Sequence, residues 1–170
     1  MAAGYADFPL IAFHFAKAGV VPSAWTPLLY SLGMGTAAVA ALVAGRLFDR
    51  AGLAVIVGAV LLAAGFAPLV FLGGAGAAIL GMALWGVGMG VQDSVVRAAV
   101  AEMVPAGRRG SAFGLFDTGY GVCWFLGSAL MGILYDRSVG AVVAFSVGAQ
   151  LAAAAWLAAL SPRRVAGAPR

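Results

Sequence analysis

The sequence predicts an all-α, polytopic membrane bundle of five full helical spans plus a short N-terminal segment. Three observations predict it. Hydrophobic residues make up 64% of the 170 residues and charged residues only 9%, against roughly 25% charged in a soluble domain, whose surface must face water. Mean hydropathy is +1.04. Apolar runs of the ~20 residues that cross a ~30 Å hydrocarbon core recur along the chain. Six acids and ten bases cannot cover the surface of a globule, so the remainder must meet lipid. Disorder is excluded because the chain is too apolar to stay unfolded in water.

The spans follow in order. Span A, Phe8 to Val21, carries Pro9, His14 and Lys17 and is too short and interrupted to cross. It reads as the outer end of a helix whose beginning is missing, or as an interfacial segment. Span B covers Ala24 to Leu47, span C Leu53 to Gly73, span D Ala77 to Val104, span E Gly110 to Tyr135 and span F Val139 to Leu160. The runs are continuous rather than alternating. In lipid a helix satisfies its own backbone polar groups, so these are helices and not barrel strands. The links are a few residues long, which forces neighbouring helices to be antiparallel. Residues 1–22 form the partial or interfacial unit, 23–160 the bundle and 161–170 a cytoplasmic tail.

Charge sets the expected orientation. Arg46, Arg50, Arg108, Arg109, Arg163, Arg164 and Arg170 fall on one side, and Lys17 and Arg137 on the other. By the positive-inside rule the B–C link, the D–E link and the C-terminus are cytoplasmic. This places the chain in the cell (plasma) membrane with the lipid bilayer as its first partner. The net charge of +4 does not imply nucleic acid, because the bases sit between apolar runs and form no basic patch interleaved with aromatics. A single cysteine, Cys123, forbids an internal disulfide and a cysteine-based metal site. No positive n-region precedes the first apolar stretch, so no cleaved signal peptide is read.

Two stretches match at an offset of 87 residues: Gly45-Arg46-Leu47-Phe48-Asp49-Arg50 and Gly132-Ile133-Leu134-Tyr135-Asp136-Arg137. Three spans separate them, so the second copy points the opposite way through the membrane, as in inverted three-helix repeats.

Here the sequence resembles the major facilitator superfamily. Gly45-x-x-x-Asp49-Arg50-x-Gly52 looks like that family's signature loop. Ala101-Glu102-Met103-Val104-Pro105, followed by Arg108, Arg109, Gly110 and Gly114, is similar to the end of the fourth helix of a superfamily half. The family usually continues the loop with a base after the second glycine, where this chain has Leu53. The resemblance runs from Phe8 to Leu160. It implies that spans B to F are helices eight to twelve of a twelve-helix transporter, and span A the tail of the seventh. A missing N-terminal half, or a second chain, is then an expected partner and a small-molecule solute the expected cargo.

Ionisable groups at membrane depth are costly and are functional candidates by default. Asp93 lies about 16 Å along its helix from Val104 and Arg97 is one turn nearer the cytoplasm. Asp117, on the antiparallel neighbour, lies at a depth similar to Arg97. A cluster of Asp93, Arg97 and Asp117, with Gln92 beside it, is expected to face a cavity as a substrate or proton site, or else to fasten span D to span E. His14, between Phe13 and Phe15, is a further coupling candidate, although a histidine in an aromatic stretch is more often packed. Gly45, Asp49, Arg50, Gly52 and Glu102 form the conformational loop motif, and Asp49, Arg50 and Glu102 are expected to meet at the cytoplasmic face. Spans D and E hold most of the polar residues and are expected to line water or a partner, while spans C and F face lipid. Trp25, Trp85, Trp124 and Tyr135 are read as containing interface anchors, and the glycines of spans D and E as sites of tight helix packing.

No hydrolase, metalloprotease or phosphate-cradling motif is present. The chain is therefore read as no enzyme, with no cofactor and no metal. The expected function is a secondary transporter half working by alternating access; the alternative is a membrane-embedded scaffold without transport.

Overall fold

The computed structural model describes residues 1–160; the tail at 161–170, with Arg163, Arg164 and Arg170, lies outside the described residues. The described chain is an all-α bundle without strands. Its helices are α1 (Phe8–Ala18), α2 (Thr26–Ala51), α3 (Leu53–Ala64), α4 (Phe66–Leu72), α5 (Ala75–Met103), α6 (Arg109–Arg137) and α7 (Val139–Leu160). Five segments are long and apolar enough to cross a membrane, and they coincide with spans B to F.

Helix ends follow the local chemistry. Pro9 and Pro27 stand in the first turns of α1 and α2, where the missing N–H would have no intrahelical partner. Val104 is extended at the end of α5, as expected before Pro105. Gly52 has φ +55 and ψ −136, a conformation that only glycine adopts readily. Its N–H caps α2 on the Phe48 carbonyl at 2.8 Å.

Span C is not one continuous helix. It breaks at Gly65 into α3 and α4. The physical cause is Pro68: it offers no N–H to the Ala64 carbonyl and its ring crowds that carbonyl.

α5 is the centre of the bundle. It packs most extensively on α2 and also contacts α3 and α4. Small residues make the α2–α5 approach close. A Cβ on Gly86 would overlap the Gly33 carbonyl oxygen, and one on Gly90 would overlap that of Ala37. Gly88 abuts Tyr5 and Ala63 in the same way. The glycines of α6 differ: Gly110, Gly114, Gly119 and Gly121 meet nothing within 4 Å. The close packing is therefore found at these α5 glycines and, on α6, further along at Gly127, where a Cβ would overlap the Ala3 carbonyl oxygen.

α7 packs on α3, α6, α4 and the turn at Ala2–Gly4. Its two polar side chains do not face lipid, contrary to expectation. Ser146 is fully buried and donates to the Gly4 carbonyl at 2.6 Å. Gln150 is 1% exposed and has no hydrogen-bond partner among the described residues. The lipid-like face of α7 carries Leu151 and Trp156 instead. Few polar groups on a helix do not make all of it a lipid face; both of those present point inward, Ser146 to a carbonyl and Gln150 into the packed interior.

The aromatic anchors also divide. Trp85 is 1% exposed and Tyr135 is buried, so both are core residues. Trp25 is exposed.

Candidate functional site

The residues before α1 build the least expected part of the molecule. Tyr5, Ala6 and Asp7 enter the bundle between α5 and α6. The Tyr5 hydroxyl donates to the Trp85 carbonyl, and the Trp85 indole N–H donates to the Ala6 carbonyl at 3.0 Å. These bonds tie the segment to the middle of α5. Asp7 is the N-cap residue of α1, but its side chain makes no capping bond. Instead one carboxylate oxygen accepts from the Trp124 indole and the other from the Ser128 hydroxyl, both on α6. Among the described residues no base comes within ion-pairing distance of Asp7.

Asp7 borders a cavity of about 460 Å³ lined by Phe8, Tyr30, Trp85, Trp124 and Phe125 among others. The cavity is at mid-depth: Met89, also in its lining, is the middle residue of the 29-residue α5. Phe8 and Tyr30 pack at 4.6 Å between ring centroids. The sequence reading passed over Asp7. Its signal was present, as the sole acid before Asp49, but an Asp before Phe-Pro at a helix start reads most simply as a cap.

Below this cavity a polar seam runs between α5 and α6. The Tyr120 hydroxyl donates to Gln92 Oε1 at 2.8 Å, while Gln92 Nε2 donates to the Gly88 carbonyl at 3.3 Å. Gln92 is 5% exposed. One turn further, Arg97 and Asp117 form an ion pair at 3.4 Å, with side chains 52% and 49% exposed. The expected D–E charge contact is present, but Asp93 is not part of it. Asp93 is exposed and makes no ion pair within 4 Å. Standing at i−4 from Arg97 was not enough, because the arginine extends across to α6.

His14 is buried and its Nδ1 lies 2.9 Å from the Tyr135 hydroxyl. Phe71 packs on its ring at 5.1 Å, and the Lys17 ammonium lies 5.2 Å from the centroid of Tyr135. The histidine is a packed residue joining α1, α4 and α6, remote in sequence and structure from the seam. The loop motif ends in exposed side chains: Asp49, Arg50 and Glu102 all face outward. Among the described residues no ion pair joins them, so the expected meeting of these three charges is not found. Gly45 and Gly52 meet nothing within 4 Å; Gly52 is required by its backbone angles.

The described residues hold no cluster of metal-ligating side chains. The sequence profile of the Major Facilitator Superfamily matches residues 6–170.

The chain belongs to the major facilitator superfamily.

Members of this superfamily are transporters, integral to membranes, rather than enzymes. Uncharacterized proteins of Mycobacterium bovis and Mycobacterium tuberculosis are each 33% identical over 163 residues. The match covers 96% of this chain and 40% of each relative, so the chain spans about two fifths of the length of the curated relatives it matches. No solved structure matches.

Proposed function

We propose that this chain supplies the C-terminal half of a secondary active transporter, which moves a small solute by alternating access against a partner half. The carrying observation is the cavity at Asp7, lined in part by Met89 of α5 and Gly121 of α6, the two helices that also make the Tyr120–Gln92 and Arg97–Asp117 contacts. One half-bundle thus gathers an acid at the start of α1, aromatics from α1, α2, α5 and α6, and a charge pair between α5 and α6. Support for a partner half comes from α2 and α6, which leave Leu28, Val39, Leu42, Leu115 and Phe125 widely exposed. The C-terminus is cytoplasmic in this reading, and residues 1–22 are the inner-packed part of the first helix of the half. Residues 23–160 form its bundle.

The test is uptake by the protein, expressed as its gene encodes it and reconstituted into proteoliposomes, against a solute panel under imposed proton and sodium gradients. Cys123, exposed on α6, serves as a second readout, with any cysteine outside this chain replaced by serine. Its labelling by a membrane-impermeant maleimide should switch sides with conditions that favour each conformation. No uptake of any solute, with labelling fixed to one side, leaves a scaffold and overturns the reading.

A further inference from the structure

We infer that the Asp7 cavity binds a monovalent lipophilic organic cation; this rests on the transporter reading and names its substrate class. Three features carry the inference. First, the carboxylate stands at mid-depth without a base within ion-pairing distance among the described residues. A charge there needs neutralisation, and in an open cavity a cationic ligand supplies it. Second, the carboxylate is held in place. The Trp124 indole and the Ser128 hydroxyl each occupy one oxygen. An ionised carboxylate has about four acceptor positions, so about two remain for a ligand. Both protein donors are neutral, so they orient the group and leave its charge uncancelled. Third, most of the remaining lining is aromatic: Phe8, Tyr30, Trp85, Trp124 and Phe125, beside Pro9, Met89 and Gly121. Aromatic faces attract a cation through their quadrupoles and also bury an apolar body. An anion meets the opposite: a like charge and the negative faces of the rings. The volume of about 460 Å³ lies within the range of small-ligand pockets, roughly 300–1,000 Å³.

The arrangement differs from the Arg97–Asp117 site. There the acid already has its base at 3.4 Å, and an added cation would have to displace it. Among the described acids, Asp7 is the one that borders this aromatic-lined cavity without a base in ion-pairing distance.

The experiment compares two ions of the same shape and opposite charge, tetraphenylphosphonium and tetraphenylborate. Binding to the purified protein, expressed as its gene encodes it, is read by equilibrium dialysis in detergent with empty micelles subtracted. The expected result is at least about tenfold tighter binding of the phosphonium. Asp7→Asn should weaken that binding by at least about tenfold and leave the borate unweakened, since a half-buried charge contact at ~5 Å is worth this much or more. Asp7→Glu should retain the preference for the cation. Equal binding of the two ions by the unaltered protein overturns the inference, as does phosphonium affinity unchanged in Asp7→Asn. Should Asp7→Asn fail to fold, the comparison of the two ions on the unaltered protein decides alone. No gradient is involved, so absent cation binding beside uptake of another solute sinks the cation site and spares the transporter. Asp7-dependent cation binding without uptake of any solute does the reverse.

Discussion

Tyr120 on α6 reaches Gln92 on α5 at 2.8 Å, and among the described residues it is the donor that satisfies the buried Gln92 oxygen. The carboxamide nitrogen is spent within α5, on the Gly88 carbonyl. Helices α5 and α6 otherwise touch little, so this hydrogen bond and the Arg97–Asp117 pair are the polar contacts that register them among the described residues. Sequence reading named Gln92 but did not assign it a partner, because 28 residues separate the two and each lies inside its own apolar run.

Removing that hydroxyl should be costly. Tyr120→Phe leaves a buried carbonyl oxygen without a donor, and such a loss costs about 1–3 kcal/mol. Gln92→Leu removes both partners' need at once and should cost less in the Tyr120→Phe background than in the unaltered protein. Thermal unfolding in detergent of the two single variants and the double variant checks this. Strict additivity would show that the two side chains do not act on one another.

The Arg97–Asp117 pair should behave as a partly wet contact. Half-exposed pairs contribute roughly 0–1 kcal/mol. Arg97→Gln and Asp117→Asn are each expected to lower stability slightly, with the exchanged pair Arg97→Asp with Asp117→Arg recovering most of the loss. Asp93→Asn, in contrast, should leave stability unchanged, since Asp93 makes no ion pair. If the pair matters to the transport cycle, uptake will fall in the exchanged protein even as stability returns; full uptake would leave it a fastening between two helices.

The glycines divide into two classes with opposite expectations. Gly86→Ala and Gly90→Ala place a methyl against backbone of α2. Backbone cannot turn aside, so both should destabilise strongly, by about 1–3 kcal/mol or more. Gly119→Ala meets open space and should be neutral or stabilising by up to about 1 kcal/mol through helix propensity. Gly52→Ala has room for its Cβ but a disallowed backbone, with an expected cost of about 1–3 kcal/mol. Melting temperatures of the four variants provide the check. A loss at Gly119 equal to that at Gly86 would mean that a further surface packs against α6.

Orientation is testable without transport. Reporters active on one side only, inserted at Gly74 and at Gly107, should report outside and inside respectively, because Arg46, Arg50, Arg108 and Arg109 crowd the links on the Gly107 side. The reversed pattern would overturn the assignment of the C-terminus to the cytoplasm.

The lengths of the apolar runs by themselves determined the membrane, the count of spans, their antiparallel order and most helix ends. These are local properties. Whether twenty residues can cross hydrocarbon depends on those residues alone, and Gly52, Pro27 and Pro105 act on their own turns. Span C shows the limit of run length even there, since Pro68 interrupts a helix without making the run less apolar. Tertiary structure decided everything that depends on how each helix is rotated about its axis. It paired Arg97 with Asp117 and left Asp93 outside that ion pair. It turned Ser146 and Gln150 inward, pressed Gly86 and Gly90 against α2 while leaving Gly119 open, and separated the charges of the loop motif. It also carried Asp7 to Trp124 and Ser128, 117 and 121 residues away. A helix in an apolar run has nearly the same hydropathy in every rotation, so the run cannot choose its facing side. Close packing of small residues and the need to satisfy a few polar atoms make that choice, and both are met only by contacts between distant parts of the chain.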